Sequence, residues 1–142
     1  MSTESNKYQL CQVLDVNGVS QLEAELSDFS APLIIDFWAP WCAPCRAMAK
    51  TFEAAAEAYS GKVRFARVNT QANSQIAKNF NIRGIPTLAV FYRGEIFDVR
   101  VGVTSVAKLN AIVRRVLNKH EGITLLDRIK KLWSSKKKGV AS

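Results

Sequence analysis

The stretch that most limits what this chain can fold into is Leu33 to Cys45, L-I-I-D-F-W-A-P-W-C-A-P-C. Its first six residues are rich in Ile and aromatics and lie between Pro32 and Pro40, the pattern of a strand buried on both faces. The next segment, Ala43 to Tyr59, is rich in Ala, Glu, Met, Lys and Arg, all good helix formers, and Pro44 falls in the first turn, where a helix tolerates it. A buried strand therefore runs into a helix, with Cys42 at the helix N-terminus and Cys45 about one turn inside.

That placement predicts chemistry. First-turn N–H groups lack intrahelical partners and the helix dipole adds partial positive charge, so a thiolate at Cys42 is stabilised and its pKa falls. Cys42 is the expected nucleophile. The two-residue spacing lets Cys45 reach back and close a small disulfide ring, which makes it the expected resolving thiol. Half of a zinc site would need a second C-x-x-C or C-x-x-H, and the sequence has neither; its single histidine, His120, is far along the chain. No metal is expected. Asp36 lies inside the apolar strand, where an unpaired charge is costly, and reads either as an internal acid or base serving Cys45 or as an aspartate tied down by hydrogen bonds.

The rest of the chain alternates between the two periodicities. A strand is expected over Gln9–Leu14, carrying the odd cysteine Cys11 as a small strand residue, and a helix over Val19–Phe29. A strand over Lys62–Asn69, a short helix over Ser74–Phe80, a hairpin of Thr87–Tyr92 with Glu95–Val101, and a helix over Ser105–Leu117 complete the order. This is an α/β domain with one antiparallel hairpin, its strand order left open. At 142 residues and 48% hydrophobic content the chain can bury one core. We expect a flexible segment over 1–8, one domain over 9–118 and an extension over 119–142. Three cysteines with a single close pair suit a reducing compartment, and no apolar run has signal-peptide or transmembrane length, so the expected address is the cytoplasm.

The motifs W-C-A-P-C after I-I-D-F-W-A, R-G-I-P-T at Arg83 to Thr87 and V-G-V at Val101 to Val103 resemble the thioredoxin family over roughly Gln12 to Leu117. The stretches A-P-L-I-I-D-F-W-A-P-W-C and G-K-V-R-F-A-R-V-N-T look closest to bacterial thioredoxin 2, without the cysteine-rich segment typical of that subgroup. The resemblance implies a central mixed sheet with helices on both faces and a protein-disulfide reductase acting on disulfide-containing proteins. It also implies recharging by a thioredoxin reductase and no bound cofactor. It puts Asp36 at the family's buried carboxylate, Pro86 at its cis proline facing the dithiol, and Trp41, Gly84, Ile85, Gly102 and Val103 on its shallow apolar contact surface around an exposed cysteine. Three residues depart from the common pattern: Ala43 stands for the usual glycine, Lys50 for a helix-kinking proline, so that this helix should be straighter, and Arg67 for a lysine. An arginine stays protonated and should hold Asp36 ionised more firmly.

The net charge of +8 is unevenly distributed. Residues 119–142 carry seven Lys or Arg against Glu121 and Asp127, a surplus of five, which leaves three for the other 118 residues. Within this extension Leu125, Leu126, Ile129, Leu132 and Trp133 form one helical stripe with Arg128, Lys130 and Lys131 beside it. Residues 123–138 thus read as a basic amphipathic helix with three seats open to it: an anionic membrane surface, a partner, or its own domain. No nucleic acid is expected as a partner. A module tethered by this helix, with the dithiol secondary, is the alternative to an oxidoreductase.

Overall fold

The computed structural model describes the backbone of residues 13–140 and, within that range, the side chains of all but residues 123, 124, 127 and 134–140. The segment expected over 1–8, and most of the strand expected over Gln9–Leu14 with Cys11, lie outside the described residues. The elements run β1 (Leu14–Asp15), α1 (Val19–Leu26), β2 (Leu33–Trp38), α2 (Ala43–Ala58), β3 (Arg64–Asn69), α3 (Ser74–Asn79), β4 (Thr87–Tyr92), β5 (Glu95–Val101) and α4 (Val106–Val140).

The apolar strand β2 takes the centre of a five-stranded sheet ordered β1-β3-β2-β4-β5, where both of its faces and both of its edges are covered. It runs parallel to β3 and antiparallel to β4, and β5 pairs antiparallel with β4 at the sheet edge. This is the thioredoxin fold, a mixed sheet between two layers of helix. Side-chain alternation divides β2 between two cores. Ile34 joins Met48, Phe52, Leu88, Leu109 and Val113 on the face covered by α2 and α4, and Ile35 and Phe37 join Leu22, Val68, Ile76 and Phe91 under α1 and α3. Burying each of the large side chains contributes about 1.5–3 kcal/mol. Asp36, two residues after Ile34, falls on the α2 side by the same alternation.

Three differences from the expected elements have identifiable causes. The first helix stops at Leu26 instead of Phe29, because Arg64 draws the next carbonyls out of a helical path. Its guanidinium donates to the carbonyl oxygens of Glu25, Asp28 and Ala31 at 3.1, 2.6 and 3.3 Å and pairs with the Glu25 carboxylate at 2.8 Å. Phe29 is left exposed, its ring close to Gly94 in the β4–β5 turn. In β5 a bulge opposite Val90 and Phe91 pairs Val90 with Asp98 and Phe91 with Ile96, so that Phe97 is the extra residue. Phe97 packs on the α2/α4 core, and Asp98, paired with the core residue Val90, reaches Arg115 of α4 at 3.4 Å. Arg115 and Lys119 lie over the Phe97 ring at 5.5 and 5.6 Å.

The third difference is α4. Separate helices are expected over Ser105–Leu117 and residues 123–138, and the structure has one helix through Val140. Gly122 between them costs the helix only about 1 kcal/mol relative to alanine, too little to break it among good helix formers. Leu109, Ile112, Val113, Val116 and Leu117 are buried on the sheet, and the last described contacts with it are those of Lys119 and His120 on the Tyr92 ring.

Candidate active site

The N-terminus of α2 is capped by a sulfur. Cys42 has extended φ/ψ (−92°, 108°), Pro44 lies in the first turn as expected, and the Cys45 backbone N–H donates to Cys42 Sγ at 3.2 Å. Cys42 and Cys45 are joined as a disulfide with Cα atoms 5.3 Å apart. Both sulfurs sit deep: Cys45 is 1% exposed and Cys42 5%, so the cysteine expected to be exposed shows only a rim of its surface. The helix runs through Lys50 without interruption, as the missing proline allows.

Two loops complete the front of the site. The Ile85–Pro86 peptide bond is cis, and the Ile85 carbonyl oxygen lies 3.9 Å from Cys42 Sγ. The Gly102 N–H donates to the Pro86 carbonyl at 2.8 Å with Gly102 at φ +93°, a conformation that side-chain-bearing residues rarely adopt. The Thr104 N–H donates to Met48 Sδ at 3.3 Å, binding the third loop to α2. The segments around residues 41–45, 84–86 and 102–104 thus form one surface on which Trp41 is 69% exposed, Val103 is exposed, and Gly84, Ile85 and Gly102 are half-buried. Trp41 is no core residue. Met48 and Thr104 were missed by sequence reasoning; Met48 had a signal in lying three residues after Cys45 on the inner helix face, and Thr104 had none.

Asp36, which has no exposed surface, pairs with Arg67, a residue that lines one cavity with Cys45. Parallel pairing of β2 with β3 sets Arg67 directly opposite it, and Arg67 Nε lies 3.4 Å from Asp36 Oδ2 while its guanidinium stacks over Trp38 at 4.3 Å. Asp36 Oδ1 has no hydrogen-bond partner among the described residues. Burial pushes the Asp36 carboxyl up to about 6, and the Arg67 charge only partly opposes it. Arg67 favours the ionised carboxylate, but loss of hydration outweighs one guanidinium at the long end of contact distance. A cavity of about 430 Å³ is lined by Trp38, Pro40, Cys45, Lys50, Glu53 and Arg67. Among the described residues no cluster of His, Cys, Asp and Glu could hold a metal ion.

A dithiol at a helix N-terminus, closing to a disulfide beside a cis proline and above a buried carboxylate, is a thiol–disulfide exchange centre. The thioredoxin family model matches residues 13–115. Thioredoxin 1 of Nostoc sp. is 40% identical over 101 residues, which span 71% of this chain and 91% of that protein. Thioredoxin 1 of Synechococcus elongatus is 44% identical over 78 residues, 55% of this chain and 73% of that one. Among solved structures, Malassezia sympodialis thioredoxin superposes with a TM-score of 0.68 at 31% identity, covering 75% of this chain and 91% of its own. Chloroplastic thioredoxin z superposes with a TM-score of 0.68 at 27% identity, covering 74% and 94%. The chain belongs to the thioredoxin family and is a thiol–disulfide oxidoreductase that reduces protein disulfides through its Cys42–Cys45 pair.

Proposed function

We propose that Cys42 attacks, Cys45 resolves and Asp36 handles the proton. The Cys42 thiolate adds to one sulfur of a substrate disulfide, forming a mixed disulfide and expelling the other substrate sulfur as a thiolate. Asp36 then takes the proton from Cys45, whose thiolate attacks Cys42 Sγ, releases the second substrate sulfur and leaves the Cys42–Cys45 disulfide. Two electrons pass from the protein dithiol to the substrate. The observation that carries this assignment is the Cys45 N–H aimed at Cys42 Sγ, an amide donor that stabilises charge on Cys42 and on no other sulfur of the pair. Asp36 suits its part because it lies on the α2 side of the sheet, has a free oxygen and titrates within reach of neutral pH.

Substrates dock on the apolar front formed by Trp41, Gly84, Ile85, Gly102 and Val103, with extended backbone laid beside Ile85 and Pro86 as an added strand. An NADPH-dependent thioredoxin reductase returns the disulfide to the dithiol, and the protein works in the cytoplasm, where that supply of electrons keeps it reduced. The catalytic domain is residues 9–118, and residues 119–142 are the basic extension. The test is insulin reduction by dithiothreitol together with trapping. Cys45→Ser should accumulate a mixed disulfide through Cys42, and Cys42→Ser should accumulate none; a complex trapped through Cys45 would reverse the roles.

A further inference from the structure

We propose that the distal part of α4 is a membrane-surface helix that seats this oxidoreductase on anionic lipid. The phase of the helix carries the argument. In one continuous α-helix each residue advances about 100° around the axis, so the buried stripe of Leu109, Ile112, Val113, Val116 and Leu117 and the stripe of Leu125, Leu126, Ile129, Leu132 and Trp133 have centres roughly 170° apart. One helix cannot lay both stripes on the same sheet. The distal stripe accordingly faces away from the side that grips the domain, and all five of its residues are more than half exposed.

What covers it is indicated by charge. Arg128 and Lys130 flank the stripe, each about 100° from its centre, and Lys131 lies opposite. On a bilayer the stripe would enter the acyl boundary while the flanking side chains lay their aliphatic stems along it and reached lipid phosphates with their charged ends. The sequence then adds Lys136, Lys137 and Lys138, and residues 119–142 keep a surplus of five positive charges. Interfacial binding needs buried apolar area and attraction to anionic headgroups, and this helix offers both. A second copy fits poorly, since the stripe spans about two and a half turns, shorter than the three to four heptads of a stable coiled coil, and pairing would bring like charges together. No described helix is long and apolar enough to cross a membrane, so the helix lies on the surface.

The test uses the full chain with vesicles of neutral phosphatidylcholine and with vesicles in which about a third of the lipid is phosphatidylglycerol. Co-sedimentation with the anionic vesicles alone, weakening as sodium chloride is raised, is expected. Arg128→Gln and Lys130→Gln should each weaken it about fivefold, and Ile129→Gln with Leu132→Gln should abolish it. Insulin reduction in free solution should be unchanged in all of these variants, which reports that each is folded. The proposal is overturned by absence of binding at low salt or by equal binding to both vesicle types. It is also overturned if the apolar double variant melts several degrees lower, which would put the stripe on its own domain, or if light scattering shows a dimer that this variant dissolves. Retention on a polyglutamate resin without vesicle binding would assign the helix to an acidic protein and overturn it equally.

Discussion

The two sides of the Cys42–Cys45 disulfide are built from opposite materials. In front are backbone and exposed apolar side chains: the Ile85 carbonyl, the cis peptide before Pro86, Trp41 and Val103. Behind are a carboxylate without exposed surface, an arginine at 3.4 Å from it and the half-buried Trp38. The front can be altered at little cost to the fold, because its side chains already stand in water. The rear is where the fold gives up stability for function. A carboxyl whose pKa rises from 3.8 to about 6 on folding binds more protons in the native than in the unfolded state between those values. Native stability from this group is therefore greatest below about pH 4 and falls as pH rises towards 6, the full loss being about 3 kcal/mol for a shift of this size.

The largest expected effect tests whether the front sulfur is the reactive one. Cys42→Ser should eliminate insulin reduction, and iodoacetamide at mildly acidic pH should alkylate Cys42 of the reduced protein before Cys45 or Cys11; faster labelling of either of the others would remove the distinction between front and rear. Next comes Asp36→Asn, which should raise stability above pH 6 by up to about 3 kcal/mol and flatten the stability change between pH 4 and 6, while slowing release of the mixed disulfide by roughly 100-fold more than its formation. Chemical denaturation across pH and rapid-quench measurement of the two steps read these effects, and equal slowing of both steps would reduce Asp36 to a structural residue. Arg67→Met should move the Asp36 titration, followed by carboxyl NMR, further upward, since the arginine is the group opposing burial; a downward move would show that the ion pair does not act as drawn. Trp41→Ala should lower kcat/KM for insulin about tenfold, with less loss on a small disulfide, while stability stays within about 0.5 kcal/mol. The smallest effect is Gly84→Ala, whose added methyl would stand 3.1 Å from the exposed Val101 Cγ1 and should cost less than about 1 kcal/mol in thermal melts, because Val101 can swing into solvent.

Much of this comparison was legible in the sequence where local chemistry dictates structure. The run L-I-I-D-F-W became β2 with the expected bounds, Pro44 began the dithiol helix, and Arg93-Gly94 closed the hairpin between strands of the expected extent. The dithiol was visible from spacing alone, whereas the front loops were reached only through the family resemblance, since nothing local tells that residues 84–86 and 102–104 meet near Cys42. Contacts distant in sequence stayed hidden. Arg64 holds carbonyls near Glu25 and so shortens α1, and no pattern near either residue announces it. The upward shift of the Asp36 carboxyl is hidden for a related reason: sequence shows which charges are present, while the cost of burying one is set by how completely the folded chain excludes water. The continuity of α4 is hidden because its two apolar stripes lie on different faces, so each reads as a separate helix, although the penalty of Gly122 between them is small.

The bulge in β5 reaches beyond its grip on α4. An edge strand carrying Ile96, Val99 and Val101 in exposed positions, with one side of its backbone unpaired, is a template on which another extended chain could grow. The extra residue Phe97 bends that edge and interrupts its regular pleat, so an incoming strand would find no straight run of donors and acceptors along its length. For a reductase of protein disulfides, an irregular border of this kind disfavours strand-by-strand association with the chains it meets.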